Sequence, residues 1–434
     1  MHHTARILTP SAMLAAMLAA SPTLNAGGAK DAVAAPPAAE NPGDWCTWLS
    51  NKPGTLYKGD NPWIQEAGVF GRFHWQAAYL SGEDVNGYDF SDDYTEVRRA
   101  RLGFKLKFLR FFELKANANF AWDTRAHIAP WPGNYGLNWG YQNFDEAYLI
   151  FDAAKAFGID SLDELKIAYG RHKLKIGQEV HTSSRNILTV ERSAIANKIY
   201  GSSRPTGISA KWKKDRWNGT VALFSTDART RGGGNVELLG GWNDGLAYYA
   251  SLGYKATDEL DFLFDVLYND ADTLRGEDSL FRYHWATSLA AIYDTGRWGM
   301  IANLIYGDNG GLSNGVAKST RQGDFWGLVL MPHYWIVQDR LEGVVRYAYA
   351  GSEADQGVRA NSRYFRRSHG PVVRVNSGRG DAHHSIYGGL NYYLCGHNAK
   401  LMAGVEYEHL NAPGAGTTGD VGATTLWFAA RTYF

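Results

Sequence analysis

Apolar and polar side chains alternate with a period of two along most of the chain after about residue 68. In the stretch VRRARLGFKLKF, for example, Leu102, Phe104 and Leu106 alternate with Arg101 and Lys105. Successive side chains of a β-strand point to opposite faces, so this pattern predicts strands with one apolar and one polar face. Such strands are typical of a membrane-spanning barrel, in which one face meets lipid and the other lines the lumen.

Sixteen segments follow this pattern, and the fourth favours neither face as the apolar one. The connections between them alternate between short ones, such as LR, KKDR and DTGR, and long ones, such as 177–204 and 351–383. Outer-membrane barrels have short periplasmic turns and longer external loops. We therefore predict an all-β fold, a 16-stranded antiparallel transmembrane β-barrel. The predicted strands span 68–80, 95–109, 111–122, 143–152, 163–176, 205–214, 216–226, 244–256, 259–269, 282–294, 297–307, 323–336, 341–350, 384–394, 398–410 and 422–434.

The final segment, LWFAARTYF, is typical of the closing strand of an outer-membrane barrel. It ends in an aromatic residue, Phe434, and we expect Leu426, Phe428, Ala430, Thr432 and Phe434 to share one face. Aromatic residues make up 14% of the chain, and 49 residues are Gly. A soluble sandwich or several β-domains is the alternative, but it explains neither the alternating connection lengths nor the terminal Phe.

The first residues resemble an export signal. Arg6 precedes the short apolar run SAMLAAMLAA, and small residues follow up to Ala26, so we predict a signal peptide over 1–26. The Ala- and Pro-rich residues that follow begin a periplasmic N-terminal tail or small plug over 27–67, which leaves 68–434 for the barrel. The expected location is the outer membrane of a Gram-negative-type bacterium.

A barrel of sixteen strands is too wide for its own side chains to fill, so we expect a water-filled channel. Basic residues dominate the inward positions of the first half, opposed mainly by Glu113, and acids appear in the second half. A wall rich in Arg and Lys favours small anions, and Arg binds an oxyanion through two parallel N–H bonds. The basic set is Arg72, Arg99, Arg101, Lys105, Lys107, Lys115, Lys166, Lys211 and Lys213; the mixed set is Asp261, Asp265, Glu342, Glu406 and Glu408 with Lys255, Arg346 and Lys400.

The connection 177–204 combines length with an apolar patch made of Ile187, Leu188, Val190 and Ile195. A purely external loop has little use for such a patch, so we expect this third external loop to fold into the barrel and narrow the pore. Its charged edge is then expected to comprise Arg185, Arg192, Lys198 and Arg204.

Four stretches resemble the phosphate-selective porin O and P family. They are VRRARLGFKLKF, YGRHKLKIGQEVHTSSRNILTVERS, LMPHYWIVQDRLEGVVRYAY and YGGLNYYLCGHNAKLMAGVEYEH. The resemblance implies a homotrimeric sixteen-stranded porin whose third external loop folds inward, with an arginine ladder leading anions such as phosphate to a constriction. The positions that match this pattern are Arg98, Arg99 and Arg101 in the second strand, and Glu191 and Arg192 in the third loop.

The expected function is therefore that of a passive outer-membrane porin for small solutes, without enzymatic activity. Expected partners are outer-membrane lipid, lipopolysaccharide and small anions, and no nucleic acid or cofactor is expected. One alternative is a barrel enzyme such as a phospholipase or protease, for which His383, His384, Ser385 and Asp381 are the nearest candidates. Another is a closed structural barrel or adhesin. The arginine-rich loop 351–383 remains open to three interpretations: anion collection, binding of lipopolysaccharide phosphates, or simple solvation.

The only two cysteines are Cys46 and Cys395. Cys395 lies in the short connection LCGHN, and Cys46 precedes the first strand, so both are expected on the periplasmic side. The first and last strands of a closed barrel are neighbours, which brings the two cysteines within tether range. The sequence leaves open whether they form a disulfide, because bonded cysteines need Cα atoms within about 7 Å.

Overall fold

The computed structural model describes residues 45–51, 54–121, 139–200, 204–226, 242, 245–270, 280–310, 321–359, 364–365 and 378–434. The predicted signal peptide lies outside these residues. Within the described ranges, no helix is both long enough and apolar enough to cross a membrane.

Antiparallel strands dominate the described residues, and sixteen of them close into a barrel. Each barrel strand pairs with the next along the chain, and the last pairs with the first from Gly422–Glu83 to Tyr433–Arg72. All sixteen predicted strands are confirmed. The strands are β1 (Thr55–Lys58), β2 (Ile64–Glu83), β3 (Asp89–Phe108), β4 (Phe112–Ala121), β5 (Trp139–Asp152), β6 (Glu164–Arg171), β7 (Thr206–Lys214), β8 (Trp217–Ser225), β9 (Leu246–Lys255), β10 (Leu260–Asn269), β11 (Trp285–Asp294), β12 (Trp298–Asp308), β13 (Asp324–Val337), β14 (Leu341–Ser352), β15 (Val358–Arg359), β16 (Arg379–Gly380), β17 (Ala382–Tyr393), β18 (Ala399–Asn411) and β19 (Asp420–Tyr433).

The smaller elements lie in the connections and at the seam of the barrel. The described helices are α1 (Trp45–Asn51), α2 (Ala153–Phe157), α3 (Gln178–His181) and α4 (Ala194–Tyr200). β15 and β16 pair with each other between β14 and β17. β1 pairs with the first residues of β2, beyond the end of β19, and so extends the wall at the seam.

The two faces of the wall differ as the alternating pattern predicts. Apolar side chains on the outer face are exposed, including Phe73, Phe104 and Phe428. Inward neighbours on the same strands are buried, such as His74 beside Phe73 and Trp427 beside Phe428. An apolar exterior is compatible with contact to the lipid chains. The closed hydrogen-bond ladder leaves no unpaired sheet edge in the membrane.

Two β-bulges bring extra charged side chains to the inner face. On β3, His74 of β2 faces Arg99 and Trp75 faces Val97, so Arg98 is left without a cross-strand partner. On β5, Glu146 pairs with Asn117 of β4, and Phe144 pairs with Ala118. Asp145 between them is therefore left without a cross-strand partner. A bulge shifts the alternation by one residue, which explains why the fourth predicted strand showed no clear apolar face.

Most connections at one end of the barrel are tight turns, and the one between β5 and β6 contains α2. In the three-residue connection from β3 to β4, Leu109 and Arg110 have φ of 48° and 66°, which lie in the left-handed region. Asp215 and Asp339 take positive φ in the turns after β7 and β13. At the opposite end the connection between β6 and β7 alone runs from 172 to 205. Short and long connections therefore alternate as predicted.

A disulfide joins Cys46 of α1 to Cys395 in the turn between β17 and β18, with Cα atoms 5.1 Å apart. The bond links two positions separated by 349 residues and fixes α1 at the end of the barrel that carries the short turns. The shared side expected for the two cysteines is thus observed, and the question that the sequence left open is answered in favour of the bond.

We expect the disulfide to be detectable in the isolated protein. Denatured, alkylated protein should migrate faster without reductant than with it, because the cross-link keeps the unfolded chain compact. A Cys46→Ser variant should lose this difference and about 2–4 kcal/mol of stability. Two free thiols in wild-type protein purified from the outer membrane would contradict this expectation.

Candidate functional site

The segment between β6 and β7, described at residues 172–200 and 204–205, is bound through its backbone by inward side chains of the wall. On one side, the Gly177 N–H donates to Oδ2 of Asp265 on β10, at 3.0 Å. The Gln178 N–H donates to Oδ1 of Asn303 on β12, at 3.1 Å. These two bonds provide acceptors for the backbone N–H groups at the start of α3.

Further along, the same segment is held by the last strands of the barrel. Nζ of Lys400 on β18 donates to the Ile187 carbonyl at 2.7 Å. Nδ2 of Asn391 on β17 donates to the Leu188 carbonyl at 2.9 Å. Arg431 on β19 donates to the carbonyl groups of residues 184 and 190. The β6–β7 segment is therefore anchored to inner faces from β10 through to β19.

Apolar side chains of the segment pack against the inner wall. Leu174, Ile176, Ile195 and Ile199 are at most 1% exposed. Burying one such side chain fully stabilises the fold by about 1.5–3 kcal/mol. Three residues of the predicted apolar patch, Ile187, Val190 and Ile195, are buried. The wall residues of the cluster that holds Ile195 and Ile199 include Phe224, Leu267, Phe325 and Val329.

Arginines from three parts of the chain surround one carboxylate, Asp145. Nη1 of Arg101 lies 2.6 Å from Oδ2 of Asp145, and Nε of Arg204 lies 3.4 Å from its Oδ1. The charges of Arg72 and Arg99 also act on Asp145. Nε of Arg204 also lies 4.0 Å from Oε1 of Glu146, so four guanidinium groups face two carboxylates, and the cluster keeps an excess of positive charge.

A second contact joins this basic wall to the segment. Nε of Arg98 lies 2.5 Å from Oε1 of Glu191, and Nε2 of Gln76 donates to the same oxygen at 3.2 Å. Nη1 of Arg72 donates to Oγ of Ser184 at 2.6 Å. The bulge turns Arg98 to the inner face, where it pairs with Glu191. This pair sets the position at which the segment meets β3.

Arg346 on β14 connects the segment to the opposite wall. Its Nη2 lies 2.7 Å from Oε1 of Glu406, and its Nη1 lies 3.3 Å from Oε1 of Glu179. Nη1 also donates to Oγ1 of Thr189 at 3.0 Å and to the Glu191 carbonyl at 2.7 Å. Arg346 is 1% exposed, so this buried cation depends on these partners.

Toward the end with short turns, the basic wall is open to solvent. Lys105 and Lys107 pair with Glu66, Lys115 pairs with Glu113, and Lys166 and Lys211 share Glu164. These five lysine side chains are 33–58% exposed, whereas the three glutamates are 13–22% exposed. The exposed charge on this wall is therefore mainly positive. Glu66 and Glu164 oppose it in addition to Glu113, which was the one acid predicted here.

The predicted acids of the other wall are mostly buried and bonded. Glu342 bonds His333 at 2.9 Å, and Glu408 bonds His383 at 3.2 Å. Asp265 bonds Tyr249 at 2.9 Å and His181 at 2.8 Å. Together with Glu406, these acids are at most 5% exposed, and Asp261 alone of the predicted set is exposed. The acidic wall thus presents little charge to the lumen.

The predicted constriction residues separate into two groups. Glu191 and Arg204 join the charged clusters described above. Arg192 instead binds the carbonyl groups of Glu179 and Thr182, at 2.6 and 2.9 Å, and so holds the segment's own backbone. Arg185 reaches Asn398, beside the turn that carries Cys395, and stacks on the ring of Tyr433.

Lys198 lies on α4, where its Nζ donates to Oδ1 of Asn309 at 2.6 Å and lies 4.0 Å from the ring centre of Phe325. Burial, together with the nearby charge of Arg379, lowers the pKa of Lys198 to about 7. Lys213 is exposed near the end of β7.

Sequence reasoning missed Asp145, Gln76 and Ser184 as parts of the site. Asp145 was hidden by the bulge in β5, and the charged pair DE in that strand was the available signal. Gln76 and Ser184 carry no charge, so their roles become visible only when their bonding partners are known.

The residues proposed for a barrel enzyme do not assemble into a catalytic group. His383 and Ser385 are buried on the inner face of β17, whereas His384 contacts Tyr347 and Tyr349. Nε2 of His383 bonds Glu408, and Oδ1 of Asp381 accepts from Asn411 at 2.7 Å. Neighbouring residues of one strand face opposite ways, which separates His383 from His384.

Solved structures of outer-membrane proteins share this fold. The outer membrane channel DcaP of Acinetobacter baumannii matches with a TM-score of 0.55 and 14% identity, covering 87% of this chain and 99% of that one. A loop-deletion mutant of OmpT, an outer membrane protein of Vibrio cholerae, matches with a TM-score of 0.52 and 10% identity, covering 85% and 99%. At these identities the likeness concerns the fold. No curated protein sequence gives a significant match.

A closed sixteen-stranded barrel with an apolar exterior and a charged lumen defines the class as an outer-membrane porin. The family model of the phosphate-selective porins O and P matches residues 68–308, which is more than half of the chain. The chain belongs to this family, as its sequence motifs predicted, and its location is the outer membrane of a Gram-negative bacterium.

Removing Arg346 should loosen the anchored segment. In Arg346→Met, the buried carboxylates of Glu179 and Glu406 lose their cation, which we expect to cost about 3–5 kcal/mol. The temperature at which the folded barrel converts to its unfolded gel form should fall. The matched control, Arg340→Met in an exposed turn, should behave like wild type. Equal unfolding temperatures for both variants would show that Arg346 does not anchor the segment.

Proposed function

We propose that this porin is a passive, water-filled channel for small solutes that favours anions such as phosphate. One observation carries the proposal: exposed lysines line one wall, whereas the acids of the other wall are buried and bonded. The local field along the accessible path is then positive although the chain has a formal net charge of zero. Such a field lowers the barrier for anions and raises it for cations.

The arginine cluster gives this path a preference for oxyanions. Arg72, Arg99, Arg101 and Arg204 surround Asp145, and Arg204 also pairs with Glu146, so two carboxylates face four positive charges. A guanidinium group can bind a phosphate oxygen pair through two parallel N–H bonds. We propose the following pore-lining, anion-binding set: Arg72, Arg99, Arg101, Lys105, Lys107, Lys115, Lys211 and Lys213.

The β6–β7 segment is proposed as the constriction. Its bonds to strands β10 through β19 support a path across the lumen, and its Glu191 meets Arg98 on the basic wall. The remaining opening then lies beside β3 to β7, where inward side chains are partly exposed. Glu191 and Arg204 border this opening, whereas Arg185, Arg192 and Lys198 hold the segment in place.

The family relationship also supports a homotrimer embedded in outer-membrane lipid and lipopolysaccharide. A channel of this kind needs no catalytic group, and His383 and Asp381 are engaged in structural bonds. We therefore propose transport without an enzymatic step. A closed structural barrel would be distinguished by the absence of conductance from a trimeric preparation in planar bilayers.

Charge reversal at the cluster should change the ion preference. In a potassium chloride gradient, the wild-type reversal potential should indicate anion preference. The Arg99→Glu, Arg101→Glu double variant should move it toward cations, because each substitution changes the local charge by two units. Lys155→Glu, an exposed site on α2, should leave it unchanged. A clear cation preference of the wild-type channel would sink the proposal.

Shortening the constriction should widen the channel. Deletion of residues 183–198 removes most of α4 and the contacts of Ser184, Ile187 and Glu191, so we expect a higher single-channel conductance. Assembly would be verified by the heat-sensitive mobility of the trimer. A correctly assembled deletion variant with wild-type conductance would refute this placement of the segment.

A further inference from the structure

A second part of the chain enters the barrel from the connection between β14 and β17. Tyr364 and Phe365, in the middle of this connection, are 0% and 3% exposed. They belong to a buried apolar cluster with inward residues of the wall, including Leu80 on β2, Leu410 on β18 and Trp427 on β19. These two aromatic side chains therefore occupy space inside the lumen.

Aromatic contacts fix Tyr364 between two strands of the wall. Its ring stacks on Tyr94 of β3 at 4.4 Å between centroids, with an interplanar angle of 15°. The opposite neighbour is Trp427 of β19, at 5.3 Å. Aromatic pairs at such distances contribute about 0.5–1.5 kcal/mol each beyond the area that they bury.

Hydrogen bonds tie the same residue to the constriction. The Tyr364 hydroxyl donates to Oε1 of Glu96 at 2.6 Å and accepts from Nε2 of Gln76 at 3.0 Å. Nε2 of Gln76 also donates to Glu96 at 3.0 Å and to Glu191 at 3.2 Å. Two N–H hydrogens thus serve three acceptors, and Gln76 connects Tyr364 with Glu191 of the β6–β7 segment.

We propose that Tyr364 and Phe365 form a second internal plug that sets the size limit of the channel. The plug fills the lumen beside β2, β3 and β19, on the side of Gln76, and so restricts solutes to the remaining space. Its aromatic side chains carry no charge, so it selects by size, whereas the arginine cluster selects by charge. Tyr364 and Phe365 are therefore specificity-determining residues.

The inference rests on the channel function and extends it to solute size. The arginines of the connection that contains these residues leave it open to anion collection, binding of lipopolysaccharide phosphates or simple solvation, whereas Tyr364 and Phe365 are buried. Their aromatic rings were the overlooked signal, because a solvated loop has little use for two adjacent aromatic side chains between charged residues.

Removing the plug should change size exclusion. We would reconstitute the trimer in liposomes and compare swelling rates for neutral sugars of increasing size. The Tyr364→Ala, Phe365→Ala variant should shift the exclusion limit to larger sugars and raise conductance. Tyr88→Ala, a 64% exposed residue between β2 and β3, is the control and should behave like wild type.

An unchanged exclusion limit in a correctly assembled double variant would overturn the plug. Neutral sugars keep this readout independent of the proposed anion preference, which is measured by the reversal potential. The two proposals can therefore fail separately.

A labelling experiment tests the placement even if the double variant does not assemble. The two native cysteines are bonded to each other, so an introduced cysteine is the only free thiol. On intact cells, a polymer-linked maleimide too large for the channel should label Tyr88→Cys readily and show a strong loss of labelling at Tyr364→Cys. Equal labelling of the two variants would place Tyr364 on the outer surface and overturn the proposal.

Discussion

A sixteen-stranded barrel encloses more space than its own inward side chains can fill. The other features of this structure depend on that constraint. The pairing of β19 with β2 closes the wall and gives the backbone N–H and C=O groups of every strand a hydrogen-bond partner. Closure nevertheless leaves a wide lumen. The contacts of two external connections support our proposal that chain occupies part of it. The β6–β7 segment packs Ile195 and Ile199 against one side, and Tyr364 packs against Tyr94 and Trp427 on another.

The proposed filling of the lumen with chain also bears on which charges face water. A buried ion without a partner is costly, so every charge covered by the segment needs a counter-ion or a backbone carbonyl group. Arg346 meets Glu179 and Glu406, and Lys400 meets the Ile187 carbonyl. The lysines of β3, β4, β6 and β7 stay partly exposed beside fewer glutamates. An electrically neutral chain thereby obtains a lumen with one predominantly positive accessible wall.

The bulges show how a regular wall produces an irregular site. Strict alternation gives each strand an inward residue at every second position. The bulges in β3 and β5 add Arg98 and Asp145, which pair with Glu191 and Arg101. The first of these pairs attaches the segment to the wall, and the second balances part of the arginine cluster. Both depend on a local break in the pattern that otherwise builds the barrel.

The sequence by itself determined the strands, their order and their two faces, because the period-two alternation is local and only one face of each strand tolerates lipid. It also indicated the basic wall and the unusual β6–β7 connection. It did not reveal that Asp145 faces the arginines, that Arg192 binds backbone carbonyl groups, or that Tyr364 is buried against other aromatic rings. Those outcomes were decided by the tertiary structure, since contacts such as Arg346 with Glu179 and Arg431 with Ser184 join residues 167 and 247 positions apart. Alternation states which way a side chain points, but the partner it meets depends on register, bulges and the path of chain inside the barrel.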